Sequence, residues 1–132
     1  MEPTTVSTIS IPLPWERPPL TGNRTRGNPY ARANEVRQAK DAAQWAIRAC
    51  RVRAIVGAEV TLHYRPKTRQ RRDADGLFPT LKVVQDALVA EGVLPDDSWV
   101  CVPSATCRIH EPDGEPRMWV ELTVIREFDP PA

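Results

Sequence analysis

The segment from Ala58 to Tyr64 constrains the fold more than any other part of the chain. Its apolar residues stand at every second position and alternate with Glu59, Thr61 and His63. A period of two places these apolar side chains on one face of a β-strand. The pattern therefore predicts a strand with one buried side, which Pro66 brings to an end.

Two segments with helical spacing flank this strand. The first begins after Asn34, the expected N-cap, and its apolar residues recur every three or four positions: Val36, Ala39, Ala43, Ala46, Ile47 and Cys50. The second has an apolar face formed by Leu77, Leu81, Val84 and Leu88. Pro79 suits the first turn of this second helix, and Gly92 is a typical C-terminal stop.

The remaining patterns indicate further strands. Ile9, Ile11 and Leu13 alternate with Ser10 and Pro12, which predicts a short strand ending at Pro14. Residues 99–110 and 117–126 are typical of extended chain, and residues 112–114 between them form a turn signal, so we expect a β-hairpin. The predicted order is β-α-β-α-β-β. We therefore expect an α+β fold in which two helices accompany a mixed sheet.

Length and composition indicate one domain. A chain of 132 residues with 41% hydrophobic residues suits a single domain over residues 1–132. Residues 14–34 predict a long basic loop, and residues 127–132 predict a flexible tail. No apolar run approaches the roughly 20 residues that cross a bilayer, and the N-terminus lacks a secretory pattern. We expect a cytoplasmic protein with no membrane partner.

Cysteine and histidine narrow the chemistry. The three cysteines, Cys50, Cys101 and Cys107, lack metal-ligand spacing and are interpreted as buried, reduced thiols. The two histidines, His63 and His110, are too few for a His-rich zinc site.

The net charge of +1 hides a strong asymmetry along the chain. Residues 17–72 contain 14 Lys and Arg against three acidic residues, whereas residues 73–132 contain four against 12. A basic half indicates a polyanionic partner such as nucleic acid. An acidic half within the same small domain needs another explanation, and metal binding is one.

The basic and acidic halves meet at Asp73-Ala74-Asp75. If the backbone is extended there, both carboxylates point the same way and repel each other, unless a cation or a proton lies between them. Oxygen ligands suit Mg²⁺ or Mn²⁺. Asp97, beyond the second helix, could return a third carboxylate, and Lys82 could add a positive charge.

These parts match the needs of phosphodiester hydrolysis, in which a metal activates water and cations stabilise the phosphate. Each part also has a plainer interpretation. Asp73 and Asp75 could lie in a solvated turn, Asp96-Asp97 could form a turn and cap, and Lys82 could pair with Asp86 at i, i+4. The basic stretch of residues 65–72 could be a solvated loop.

The sequence resembles RusA-type Holliday-junction resolvases over nearly its whole length. The matching blocks lie in order: Leu13-Pro14-Trp15, Pro18-Pro19-Leu20-Thr21, Asn23-Arg24, Tyr64-Arg65-Pro66, Arg71-Arg72-Asp73-Ala74-Asp75, Leu81-Lys82, Asp86-Ala87-Leu88 and Gly92-Val93-Leu94-Pro95-Asp96-Asp97. The resemblance implies a homodimer that binds branched DNA, four-way junctions above all, and makes paired nicks with Mg²⁺ or Mn²⁺. Carried over residue by residue, it assigns metal-binding and catalytic roles to Asp73, Asp75 and Asp97, and a catalytic role to Lys82.

DNA contacts are expected from one polar and five basic residues in and around the matching blocks: Asn23, Arg24, Lys67, Arg69, Arg71 and Arg72. One feature departs from the family: Gly76 stands where the family usually has Asn. Lys82 follows Asp75 by seven residues, whereas shorter family members have a spacing of four, and residues 77–79 resemble a three-residue insertion of phage-type relatives. A catalytically impaired nucleic-acid-binding protein is the alternative, and a metal-stabilised structural domain is a third hypothesis.

Overall fold

The computed structural model describes residues 7–20 and 29–128. Within them the elements follow in the order β1 (Ser7–Pro12), α1 (Pro29–Ala49), β2 (Ile55–Arg65), a 3-10 turn (Ala74–Leu77), α2 (Phe78–Ala90), β3 (Ala105–Ile109) and β4 (Arg117–Glu127). The molecule is a small single domain in which two helices accompany a mixed four-stranded sheet. The predicted α+β class is confirmed.

The sheet has the order β1-β4-β2-β3. Strand β4 pairs antiparallel with both β1 and β2, and β3 pairs parallel with β2. The predicted hairpin between residues 99–110 and 117–126 is therefore wrong, because β2 lies between β3 and β4. The connection from residue 110 to 116 crosses the end of β2 instead, and it is fixed there by the Arg65 Nε–H, which donates to the Glu115 carbonyl at 2.8 Å.

One face of the sheet carries the core. The alternate positions of β2 and β4 are buried, including Val60, Leu62, Val120 and Leu122, and they form one cluster with residues of both helices. The other face carries polar residues such as the paired Thr61 and Thr106. Burial of the apolar face explains why the period of two in the sequence located β2 correctly.

Helix α1 begins at Pro29, so the N-cap predicted at Asn34 is wrong and the predicted loop of residues 14–34 is shorter. A proline at the first helical position has the φ that the helix needs and lacks only an N–H that would be unpaired there. The apolar pattern did not reveal this start because the buried residues of α1, Ala39, Ala43 and Ile47, all lie after its first two turns. Residues 21–28, with Asn23 and Arg24, lie outside the described residues.

Helix α2 matches its prediction closely. Pro79 stands in its first turn, and Leu77, Leu81, Val84 and Leu88 are buried as expected. The helix ends at Gly92, whose φ is +77°. There the Gly92 N–H donates to the Val89 carbonyl and the Val93 N–H to the Leu88 carbonyl, both at 3.0 Å, which is the pattern of a Schellman motif.

The segment before residue 21 is held against α2 by a buried hydrogen bond. The Thr80 hydroxyl donates to the Leu20 carbonyl at 2.8 Å, and both residues are almost fully buried. At the other end of the chain β4 extends through Glu127, so the tail predicted from residue 127 begins one residue too early, and residues 129–132 lie outside the described residues.

The cysteines were expected to be buried, reduced thiols. All three cysteines are free thiols, but only Cys101 is buried, and Cys50 is exposed, contrary to prediction. Burial raises the pKa of the half-buried Cys107 thiol to about 11.

In the described part of the chain, neither helix has the length and apolar character needed to cross a bilayer.

We predict that Gly92→Ala lowers the free energy of unfolding by about 1 kcal/mol, because a side chain at positive φ is strained. Gly76→Ala is the matched control, since a Cβ there meets no atom within 4 Å and no positive φ is involved. It should be neutral or slightly stabilising in the same urea titration. Equal losses for the two variants would contradict this explanation of the α2 terminus.

Candidate nucleic-acid and metal site

The two aspartates of the sequence motif lie on a tight turn. Asp73 is extended (φ −109°, ψ 135°) and immediately precedes the 3-10 turn, and the Gly76 N–H donates to its carbonyl at 3.0 Å. Asp75 lies inside the turn, so the backbone is not extended between the two residues, and that assumption is wrong. Asp-x-Asp-Gly favours such a turn because aspartate and glycine both suit turn positions. Both carboxylates are exposed.

Lys82 joins two acidic segments that are far apart in sequence. Its Nζ donates to Asp97 Oδ2 at 2.6 Å and lies 3.1 Å from Asp86 Oδ1. Lys82 therefore contacts Asp86 and Asp97 at the same time. Asp97 is further fixed by its own N–H, which donates to Asp96 Oδ1 at 2.8 Å.

The ion pair shifts the pKa of both partners. The hydrogen bond from Lys82 holds the pKa of Asp97 below its usual value, and the hydrogen bond to Asp97 raises the pKa of Lys82. Both side chains are a third or more exposed, at 35% for Asp97 and 62% for Lys82. Solvent screening therefore limits the contribution of the pair to stability to about 1 kcal/mol or less.

Three carboxylates suit Mg²⁺ chemically, but their positions do not form a ready metal site. Within residues 7–20 and 29–128, no three Asp, Glu, His or Cys side chains are grouped as metal ligands. The predicted convergence of Asp73, Asp75 and Asp97 is not present in this conformation, in which Asp97 is bound to Lys82. A metal held by all three would require these side chains to move towards one another.

Beside this acidic turn lies a basic cleft of about 650 Å³. It lies over the C-terminal ends of β2 and β3, between the segment from residue 65 to 72 and the connection from residue 108 to 113. Five arginines line it: Arg65, Arg69, Arg72, Arg108 and Arg117. We call it the arginine cleft.

Local contacts hold several of these guanidinium groups in place. Arg72 donates to the carbonyls of Thr68 at 2.7 Å and Gln70 at 3.0 Å, so it folds the basic segment back on itself. Arg117 lies over the Trp119 ring at 4.3 Å, and Arg69 pairs with Glu111. Fixed guanidinium groups lose little conformational freedom when they bind a phosphate.

The predicted DNA-binding residues divide into three groups. Arg69 and Arg72 line the arginine cleft, whereas Lys67 and Arg71 are exposed on the same segment without lining it. Asn23 and Arg24 lie outside the described residues. Arg108 and Arg117 were not predicted, because they lie in the acidic half of the chain. The pairing of β3 with β2 brings Arg108 beside the basic segment, and the pairing of β4 with β2 places Arg117 opposite Arg65.

His110 and Trp119 form part of the floor of the arginine cleft, and the buried His63 stacks against both of them from below. His63 of β2 stands opposite Trp119 of β4, and their rings are nearly parallel with centroids 4.9 Å apart. His110 follows β3, and its Nε2 lies 2.7 Å from His63 Nδ1. His63 was singled out in the sequence only as a polar position of the strand pattern, and nothing there connected it with His110.

Comparison with known proteins adds no relative: the chain matches no protein-family model and no curated protein. The resemblance to RusA-type resolvases therefore remains a prediction from the residues quoted above.

We predict that Lys82→Met raises the pKa of Asp97 towards its usual value, because the group that lowers it is removed. The lowered pKa stabilises the fold above the unfolded-state pKa of about 3.9, and this stabilisation is lost as the pH falls through the folded-state pKa. Carboxyl-carbon NMR titration measures the midpoint. Lys40→Met, which removes one lysine charge from α1, should leave the midpoint in place; an unchanged midpoint in Lys82→Met would refute the ion pair in solution.

Proposed function

We propose that the protein is a divalent-metal-dependent endonuclease that cuts branched DNA, with four-way junctions as its main substrate. The observation that carries the proposal is the 2.6 Å contact between Lys82 and Asp97. It joins two residues, 15 positions apart, to which the family resemblance assigns catalytic roles. Asp73 and Asp75 directly precede the helix that carries Lys82.

In this proposal Asp73, Asp75 and Asp97 would hold Mg²⁺ or Mn²⁺, which supplies an activated water and neutralises charge on the phosphate. The hydrogen bond from Lys82 lowers the pKa of Asp97 and so favours its carboxylate form, which is the form that would bind a cation. The Lys82 ammonium would add a positive charge beside this site and would be able to donate to a phosphate oxygen.

The arginine cleft supports a nucleic-acid substrate. It begins on the basic segment that runs directly into Asp73, so a phosphate backbone lying in it would continue towards the acidic turn. Paired nicks in one junction would need two such sites, and we propose a two-fold homodimer for that reason. The exposed Trp45 and Trp99 are candidates for its interface. A cytoplasmic location suits the three free thiols.

A second candidate is a nucleic-acid-binding protein without nuclease activity. The dispersed carboxylates favour it, because no three Asp, Glu, His or Cys side chains of the described residues are grouped as metal ligands. Gly76, in place of the family's Asn, points the same way.

We predict that the protein nicks a labelled four-way junction in Mg²⁺ or Mn²⁺ and is inactive in EDTA. Asp73→Asn should reduce cleavage at least a hundredfold while keeping junction affinity, since it removes a proposed metal ligand and a negative charge near phosphate. Asp41→Asn, an exposed aspartate of α1, should cut at the wild-type rate. Gel analysis of the cleavage products measures the nicking activity of both variants.

The salt dependence of DNA affinity provides a second test. Each phosphate contact on duplex DNA contributes about −0.9 to the slope of log affinity against log salt. Binding that is steeply salt-dependent, with no cleavage in either metal, would leave the binding protein as the function. Affinity that is flat between about 50 and 200 mM salt would count against both.

A further inference from the structure

The His63–His110 pair at the floor of the arginine cleft is arranged to hold one proton between two rings. Their nitrogens are 2.7 Å apart, so only one of the two can carry the hydrogen of that bond. The other nitrogen of His63, Nε2, is buried, lacks a hydrogen-bond partner within the described part of the chain, and lies 3.4 Å from Glu121 Oε1. His63 itself is only 8% exposed.

The carboxylate favours one tautomer of the pair. A nitrogen facing Glu121 is stabilised when it carries a hydrogen and destabilised when it presents a lone pair. The charge therefore favours the tautomer in which His63 carries its hydrogen on Nε2 and accepts the Nε2–H of His110 at Nδ1. This leaves Nδ1 of His110, a residue that lines the arginine cleft, as the nitrogen that can accept a further proton.

Burial and the surrounding charges both disfavour protonation of His110. Burial lowers the pKa of His110, and His63, Arg108 and Arg65 lower it further, against a smaller opposing effect of Asp113. The remaining charged groups around the cleft are Arg69, Arg72, Glu111, Arg117 and Glu121. An anion among the arginines would offset their field and favour the protonated pair.

The charge of the cleft is largely uncompensated. Of its five arginines, only Arg69 has a carboxylate partner among the described residues. Arg65 and Arg72 bond to backbone carbonyls, which hold their position without neutralising them. A ligand with several phosphate groups in a row fits this distribution better than a single anion does, because the guanidinium groups lie on three different segments.

We propose that the arginine cleft binds the phosphodiester backbone of a DNA strand and that the His63–His110 pair takes up one proton when it does. The inference rests on the proposed function only in taking DNA as the ligand, and it requires neither a metal nor cleavage. Affinity should therefore rise as the pH falls, because binding and protonation favour each other. Each unit by which binding raises the His110 pKa adds about tenfold to the affinity at low pH.

The test measures binding of a fluorescent 12-nucleotide single strand in EDTA at constant ionic strength. Between about pH 7.5 and 5.5 we expect a rise of roughly tenfold. Only two histidines exist in the chain, so few groups can produce a change in this range. Histidine ring NMR should show a higher titration midpoint for His110 with the strand bound than without it.

Two variants test which residues cause the rise in affinity at low pH. His110→Gln places an amide N–H where Nε2 donates but cannot take up the proton, so binding at pH 7.5 should stay near wild type and the rise should vanish. Glu121→Gln removes the negative charge that favours the protonated pair, so the rise should move to lower pH. Arg37→Gln, which removes an exposed charge from α1, should keep the wild-type pH profile.

Three results would overturn the inference: a flat wild-type profile, an unchanged rise in His110→Gln, or inorganic pyrophosphate binding as tightly as the strand. Arg108→Gln with Arg117→Gln should weaken strand binding at least tenfold. If this double variant binds normally while the wild type cuts junctions in Mg²⁺, the cleft inference fails and the nuclease stands. If the protein binds neither strand, duplex nor junction, both fail.

Discussion

The pairing of β2 with β4 is the interaction on which the rest of the structure depends. Its register runs from Ile55 opposite Glu127 to Arg65 opposite Arg117, with an irregularity only near Gly57. On one face it aligns the apolar residues that receive the helices, and on the other it sets His63 beside Trp119. The core and the floor of the arginine cleft are thus opposite faces of one ladder, and a shift of one residue would exchange them.

Local patterns in the sequence were sufficient for β2 and α2. The alternation around Leu62 and the face that includes Leu88 both reflect burial on one side, which repeats along the chain. The partner of β3 was not predictable in the same way. A turn signal at residues 112–114 favours a hairpin, but whether two strands pair depends on which edges are free, and β4 and β3 occupy the two edges of β2.

The candidate site was predictable as residue types and not as geometry. Sequence selected Asp73, Asp75, Lys82 and Asp97, and the structure brings Lys82 and Asp97 together. The sequence pattern does not predict the 3-10 turn, which depends on how the chain enters α2. It also does not predict that Lys82 occupies an oxygen of the Asp97 carboxylate, where a cation could bind. Charge counting located the basic segment, but Arg108 and Arg117 reach it only through the sheet.

We propose that Asp73, Asp75 and Asp97 share one divalent metal. A crystal structure of the protein soaked in Mn²⁺, with anomalous diffraction to locate the ion, tests this most directly. We expect Mn²⁺ bound by carboxylate oxygens of all three aspartates. Saturating Mn²⁺ that binds none of these aspartates and leaves the 2.6 Å contact between Lys82 and Asp97 unchanged would contradict the proposal.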